Sequence, residues 1–219
     1  MRKILNLLCI LHLLIVFVMM LVSKATLAKD APLRVVAFGT SLTARGGWQD
    51  ALAQTLERCG GRAVTVETIA RVGATSRWAL EAVADVVARR PDIVLVEFAV
   101  NDAALNRLML PSQSESNLRR IVAVLKSGSP PPRIVLMAMN PVIGLRGAIR
   151  PFLDRYYDIN ARIAESEGLM FVDHRPSWKK LSASELASAL PDGSHPRPET
   201  ASRLIVPALG AALFPDCRE

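Results

Sequence analysis

The stretch Leu33-Arg34-Val35-Val36-Ala37-Phe38-Gly39-Thr40-Ser41-Leu42-Thr43 decides the fold. Its apolar run is short, rich in β-branched and aromatic residues, and too apolar to leave one face wet, so it reads as a buried strand. The run stops at Gly39, which puts Ser41 on the turn at the strand's carboxyl end, where open α/β sheets place their chemistry. Four more runs of this kind fall at residues 63–69, 92–98, 133–139 and 169–172. Helical periodicity at residues 47–58, 76–89, 114–126, 150–167 and 198–213 fills the intervals, with Gly60-Gly61, Pro91, Gly128 and Gly168 as stops. This alternation predicts an α/β fold, a three-layer α/β/α sandwich around a five-stranded parallel sheet. Pro207 lies inside the last predicted helix and predicts a kink or break there.

In a parallel sheet the carboxyl ends of all strands share one edge. Segments 40–47, 72–76, 100–116, 140–151 and the chain from residue 173 onward should therefore form one rim. A serine hydroxyl needs a base to take its proton, and the base needs a partner that fixes its tautomer and bears its charge. Ser41, His195 and Asp192 can fill these roles, the last two within Asp192-Gly193-Ser194-His195. An oxyanion would be met by the backbone N–H groups of Ser41 and Gly73 and the side-chain amide of Asn101, each following a different predicted strand. Each residue also has a plainer reading: a turn serine, a glycine needing positive φ, an asparagine in an Asx turn. His174 is the only rival base after residue 28. Glu97 is set in an apolar strand, costly for a carboxylate unless it is paired, so it either braces the site from behind or reaches water at the strand end.

Taken in order, Ser41, Gly73, Asn101 and His195 resemble the four signature positions of the SGNH hydrolases, the GDSL esterase and lipase superfamily. The resemblance runs from Arg34 to about Leu213. It implies a flavodoxin-like sandwich, an esterase domain over residues 29–219, and hydrolysis of esters or thioesters. Two positions depart from the family pattern. The first block reads Gly39-Thr40-Ser41-Leu42 where Gly-Asp-Ser-Leu is usual, so another group must shape the turn. In the third, Ala99 replaces a glycine and adds a methyl group expected near the oxyanion donors. A nucleophile elbow of the α/β-hydrolase type is disfavoured, because Thr43 stands where its second glycine belongs. A flavin-binding reading of the first loop leaves Asn101-Asp102 and Asp192-x-x-His195 unexplained.

The first thirty residues carry a different message. Arg2-Lys3, the apolar stretch Ile4 to Val22 and the small residues up to Ala28 fit an export signal cleaved after Ala28, and the stretch is long enough to serve instead as an uncleaved membrane anchor. Either way residues 29–219 are expected in the periplasm or outside the cell, touching membrane only through that segment. Removal of residues 1–28 takes three basic residues and no acidic one, so the formal charge drops from +7 to +4. The remaining basic pairs are scattered and lack interleaved aromatics, which argues against a nucleic-acid partner. Cys59 and Cys217 are expected to pair in an oxidising compartment, the first and last helices ending at one edge of the sandwich. With no Cys-x-x-Cys or histidine cluster, a metal is not expected, and the chemistry calls for no cofactor.

The expected activity is that of an exported serine esterase acting on a small acyl ester through an acyl-enzyme on Ser41. Two alternatives stand beside it: an acetyltransferase or O-deacetylase working on envelope glycans, and a catalytically silent binding module, for which Thr40 and Ala99 are the motive. Leu105, Leu108, Met109 and Leu110 are candidates to line an acyl pocket or simply to pack on their own domain. Arg45, Arg77 and Arg146 fall on the rim and could meet an anionic group, and residues 140–151 read as a flap over the site.

Overall fold

The computed structural model describes residues 31–217, so the signal or anchor expected over residues 1–28 lies outside the described residues. Among the described residues no helix is long and apolar enough to cross a membrane. Five strands form the sheet: β1 (Leu33–Gly39), β2 (Val64–Ala70), β3 (Ile93–Glu97), β4 (Arg133–Ala138) and β5 (Met170–Asp173). They pair in the order β2-β1-β3-β4-β5, every pair parallel. Five longer helices cover it: α1 (Gln49–Gly60), α2 (Ser76–Ala88), α3 (Pro111–Lys126), α4 (Leu153–Glu167) and α5 (Pro198–Leu213).

The period-2 alternation of a strand explains the layers. On β1, Val35 and Ala37 join one apolar cluster with Leu52 and Leu56 of α1 and Ile205 and Leu209 of α5. Val36 and Phe38 point the other way, into a second cluster with Val83 of α2, Ile121 of α3 and Ile163 of α4. A sheet packed on both faces must be apolar on both faces, which is why its strands read as continuous runs. Because α1 and α5 share one layer, Cys59 near the end of α1 and Cys217 after α5 meet, and they form a disulfide with a Cα–Cα separation of 5.2 Å.

The helix boundaries differ from the sequence expectation where prolines act. Helix α3 starts at Pro111, three residues early, because proline at the first helical position lacks only a donor that would have no partner there. Helix α4, expected from residue 150, begins at Leu153, just after Pro151, and a separate helical turn, Gly144–Ala148, precedes it. Helix α5 runs through Pro207 without the expected break. Pro207 and Arg203 both lie on the exposed side of the helix, where water can satisfy the Arg203 carbonyl that proline leaves without a donor.

Strand β1 has β2 on one side and β3 on the other, so the chain leaves the sheet's middle in opposite directions. The crevice of such a switch point opens between the carboxyl ends of β1 and β3. Ser41 follows β1 and Asn101 follows β3.

Candidate active site

The turn after β1 is built around a buried carboxylate. Glu97, at the end of β3 and 1 % exposed, accepts hydrogen bonds from the Thr40 N–H (2.6 Å), the Thr40 hydroxyl (3.0 Å) and the Thr43 hydroxyl (2.7 Å). The Thr40 Oγ1 also accepts from the Leu42 N–H at 3.2 Å, capping the short helical turn Ser41–Ala44 that carries the serine. Thr40 thus shapes the turn that an aspartate was expected to shape. Gly39 has no substitute here, since a Cβ on it would lie 2.2 Å from Glu97 Oε1. The Trp48 indole also holds the turn, donating to the Leu42 carbonyl at 3.2 Å. Burial raises Glu97 to about 7 despite the hydrogen bonds from Thr40 and Thr43, which pull the other way.

Ser41, His195 and Asp192 come together in a line. His195 Nε2 lies 2.7 Å from Ser41 Oγ, and His195 Nδ1 lies 2.6 Å from Asp192 Oδ2. The other oxygen of Asp192 accepts the backbone N–H groups of Ser194 (3.0 Å) and His195 (2.8 Å), so the three-residue spacing closes on itself. Gly193 makes that closure, its φ being +81°. Partial burial acts to raise Asp192, but the hydrogen bonds from His195 and Ser194 outweigh it and hold the carboxyl well below the usual range. Asp192 therefore stays ionised and can bear a charged imidazole beside it.

The Asn101-Asp102 pair fastens the loop after β2. Asn101 Nδ2 donates to the Ala74 carbonyl at 2.9 Å, and Asp102 accepts the Ser76 N–H at 2.8 Å and the Ser114 hydroxyl at 2.7 Å. Gly73, just before Ala74, has φ +75°, so the backbone reading of this glycine holds whether or not its N–H serves chemistry. One amide hydrogen of Asn101 is used by Ala74, and the second remains for a ligand. Ala99, whose methyl was expected near these donors, packs into the core. It is 4 % exposed and belongs to the core cluster that includes Ala138 and Met139.

His174 is not a second base. It is fully buried, its ring nitrogens contact no polar partner, and burial lowers it to about 4. Residues 140–151, expected as a flap, are stitched down: the Ile143 N–H donates to the Gly193 carbonyl at 2.8 Å and the Leu105 N–H to the Ile149 carbonyl at 2.9 Å. Leu105, Leu108, Met109 and Leu110 border an open groove of about 370 Å³ with Phe152 and Tyr156, so they do line a cavity. Of the rim arginines, Arg146 pairs with Asp192 Oδ2 at 3.3 Å, Arg77 reaches the Leu108 carbonyl at 3.4 Å, and Arg45 is exposed.

Two residues escaped the sequence reading. Arg150 donates through Nε to the Val100 carbonyl (2.7 Å), through Nη1 to the Arg146 carbonyl (2.9 Å) and through Nη2 to Asn101 Oδ1 (3.4 Å), so it ties the Asn101 turn to the segment beside Asp192. Asn140 donates to the Ser194 carbonyl at 2.8 Å and its own carbonyl accepts the Tyr157 hydroxyl at 2.9 Å, anchoring the histidine loop to β4. The only sequence signal for either was its place after a strand end.

Residues 37–202 match the GDSL-like Lipase/Acylhydrolase family. Solved structures with the same fold include a variant of Axe2, an acetyl xylan esterase from Geobacillus stearothermophilus, at TM-score 0.71 and 21 % identity, covering 87 % of this chain and all of that one. Another is LAE5, described as an alpha/beta hydrolase enzyme from the metagenome of Lake Arreo, at TM-score 0.70 and 24 % identity, covering 84 % of this chain and 95 % of that one. Three structures of Axe2 are described as catalytic mutants at a serine, an aspartate and a histidine, with the aspartate three positions before the histidine. No curated protein matches.

Proposed function

Because the chain belongs to the GDSL-like lipase/acylhydrolase family, we propose that it is a serine ester hydrolase working through an acyl-enzyme on Ser41. The observation that carries this reading is the unbroken line from Ser41 Oγ through the His195 ring to Asp192, with contacts of 2.7 and 2.6 Å. His195 Nε2 takes the hydroxyl proton as Ser41 Oγ bonds to the substrate carbonyl carbon, and the negative charge passes to the carbonyl oxygen. The N–H groups of Ser41 and Gly73 and the free amide hydrogen of Asn101 receive that oxygen. Collapse breaks the bond to the alkoxide or thiolate, which leaves with the proton from His195. Water, deprotonated by the same ring, then releases the acid and restores the serine. Asp192 orients the ring and stabilises its cationic form throughout.

Replacing Ser41 with Ala is expected to lower turnover of short p-nitrophenyl esters by about 10⁴-fold or more with an unchanged circular dichroism spectrum. A fluorophosphonate probe should add one phosphonyl group to Ser41 in the parent chain. Retained turnover in the alanine variant refutes the assignment, and a parent chain that neither turns over ester nor takes the label is the silent module. The likeness to Axe2, an acetyl xylan esterase, supports a second reading, removal of acetyl groups from a saccharide. Release of acetate from acetylated xylooligosaccharides, with a free glycan acceptor present, separates hydrolysis from transfer. Export fits the basic and apolar start of the chain and the Cys59–Cys217 disulfide. The mass of the chain recovered from the periplasm tests it, since cleavage after Ala28 leaves Lys29 first.

A further inference from the structure

Among the described residues, all the large apolar side chains that stand well exposed, except Val124, gather on three segments that border the site. Val72 is 50 % exposed beside Gly73. Leu105, Leu108 and Leu110 follow Asn101, with Leu108 at 80 %, and Leu145, Ile149 and Phe152 run beside Asp192, with Leu145 at 89 %. These segments are physically one rim. The Leu105 N–H donates to the Ile149 carbonyl, Arg77 reaches the Leu108 carbonyl, and Arg146 pairs with Asp192. Arg107 lies against Gly73, where a Cβ would come within 2.8 Å of its guanidinium.

The three segments themselves carry only positive charge, with Asp192 and Asp154 at their border. Residues 71–77, 103–111 and 144–153 contain Arg71, Arg77, Arg107, Arg146 and Arg150 and no acidic residue. Residues 29–219 carry a formal +4 in all, so outside these three segments the chain is at −1. Single exposed leucines are ordinary, but a run of them around a site mouth, interleaved with five arginines, marks an interaction face. A second copy of the chain would bring arginines against arginines. A glycan is recognised by aromatic planes, and Phe152 is the one exposed aromatic on the rim. An anionic lipid surface satisfies both features at once, with aliphatic tips entering the acyl boundary and guanidinium groups meeting phosphates.

We propose that the rim formed by residues 71–77, 103–111 and 144–153 is a docking face for an anionic phospholipid surface. It lies at the carboxyl edge of the sheet, opposite the edge at which the chain enters β1. That the docked chain draws its ester from the lipid layer rests on the ester-hydrolase reading above. Docking itself does not.

The test compares the parent chain with the double variant Val72→Ser, Leu145→Ser on vesicles of phosphatidylcholine alone and of phosphatidylcholine with phosphatidylglycerol. Cosedimentation and hydrogen exchange are read together with turnover of a soluble short ester. Expected is binding of the parent to the phosphatidylglycerol vesicles that weakens with salt, slowed exchange confined to the three segments, and about tenfold weaker binding by the variant. Soluble-ester turnover should stay within about twofold in both. Equal binding by parent and variant, slowed exchange elsewhere on the domain, or a dimer in solution that already protects these amides without vesicles overturns the proposal. Absence of soluble-ester turnover in both chains defeats the hydrolase reading instead and leaves the vesicle result to decide docking by itself.

Discussion

Glu97 links the chemistry of one residue to the behaviour of the fold. In the unfolded chain it ionises near 4.5, while the folded chain holds its proton to about 7, burial being the main cause. The folded state therefore binds the extra proton between these values. The contribution of this group to stability is complete below pH 4.5, declines as pH rises, and is gone above about 7. Glu97→Gln keeps an acceptor for the Thr40 N–H and does not titrate. Urea denaturation should show the variant gaining about 3 kcal/mol on the parent across that window and nothing further beyond it. A difference that stays constant with pH contradicts the account. His174 acts with the opposite sign: lowered to about 4, it gives a stabilising share present above 6.5 and lost as pH falls. It is common to both proteins and cancels in the comparison.

At the scale of elements, the connection between β4 and α4 does more than join them. Through Arg150 it holds Asn101 Oδ1 and the Val100 carbonyl, and through Arg146 it touches Asp192, so both halves of the site lean on one segment. Arg150→Met should free the Asn101 side chain to turn, lowering kcat about tenfold or more with a smaller change in KM, because the amide's donor is needed most when charge develops on the carbonyl oxygen. A pure rise in KM would assign Arg150 to substrate binding instead. Helix α5 offers a cleaner case. Pro207 is exposed within it and forgoes one backbone bond, so Pro207→Ala should stabilise the domain by about 1 kcal/mol or more, read as a higher midpoint in urea.

For the whole molecule, the arrangement of layers decides what the disulfide can do. Cys59 and Cys217 are 158 residues apart in sequence and close the layer made by α1 and α5. Replacing both with serine should cost about 2–5 kcal/mol, since a cross-link over so long a loop restricts the unfolded chain strongly. The site residues arise at the other end of the strands from where the chain enters β1, so the serine line should survive in the variant at temperatures where it remains folded. Turnover at low temperature with a lowered thermal midpoint is the expected pair of readings.

Much was legible in the chain because the relevant signals are local. Strands buried on both faces must be apolar throughout, so five runs announced the sheet, and alternation with helical periods announced parallel pairing. The Asp192 to His195 spacing carries its own turn, so that part of the site could be read without its surroundings. What only the tertiary structure decided is which distant groups answer one another. Thr40 and Glu97 are 57 residues apart, Arg150 and Asn101 are 49, and Asn140 and Ser194 are 54. Periodicity fixes which face a side chain takes on its own element, but not which side chain of another element stands opposite. That depends on strand order and helix packing, and it is why the partners of the Glu97 brace, a pinned segment in place of a flap, and the joining of three segments into one rim appeared only once the chain was folded.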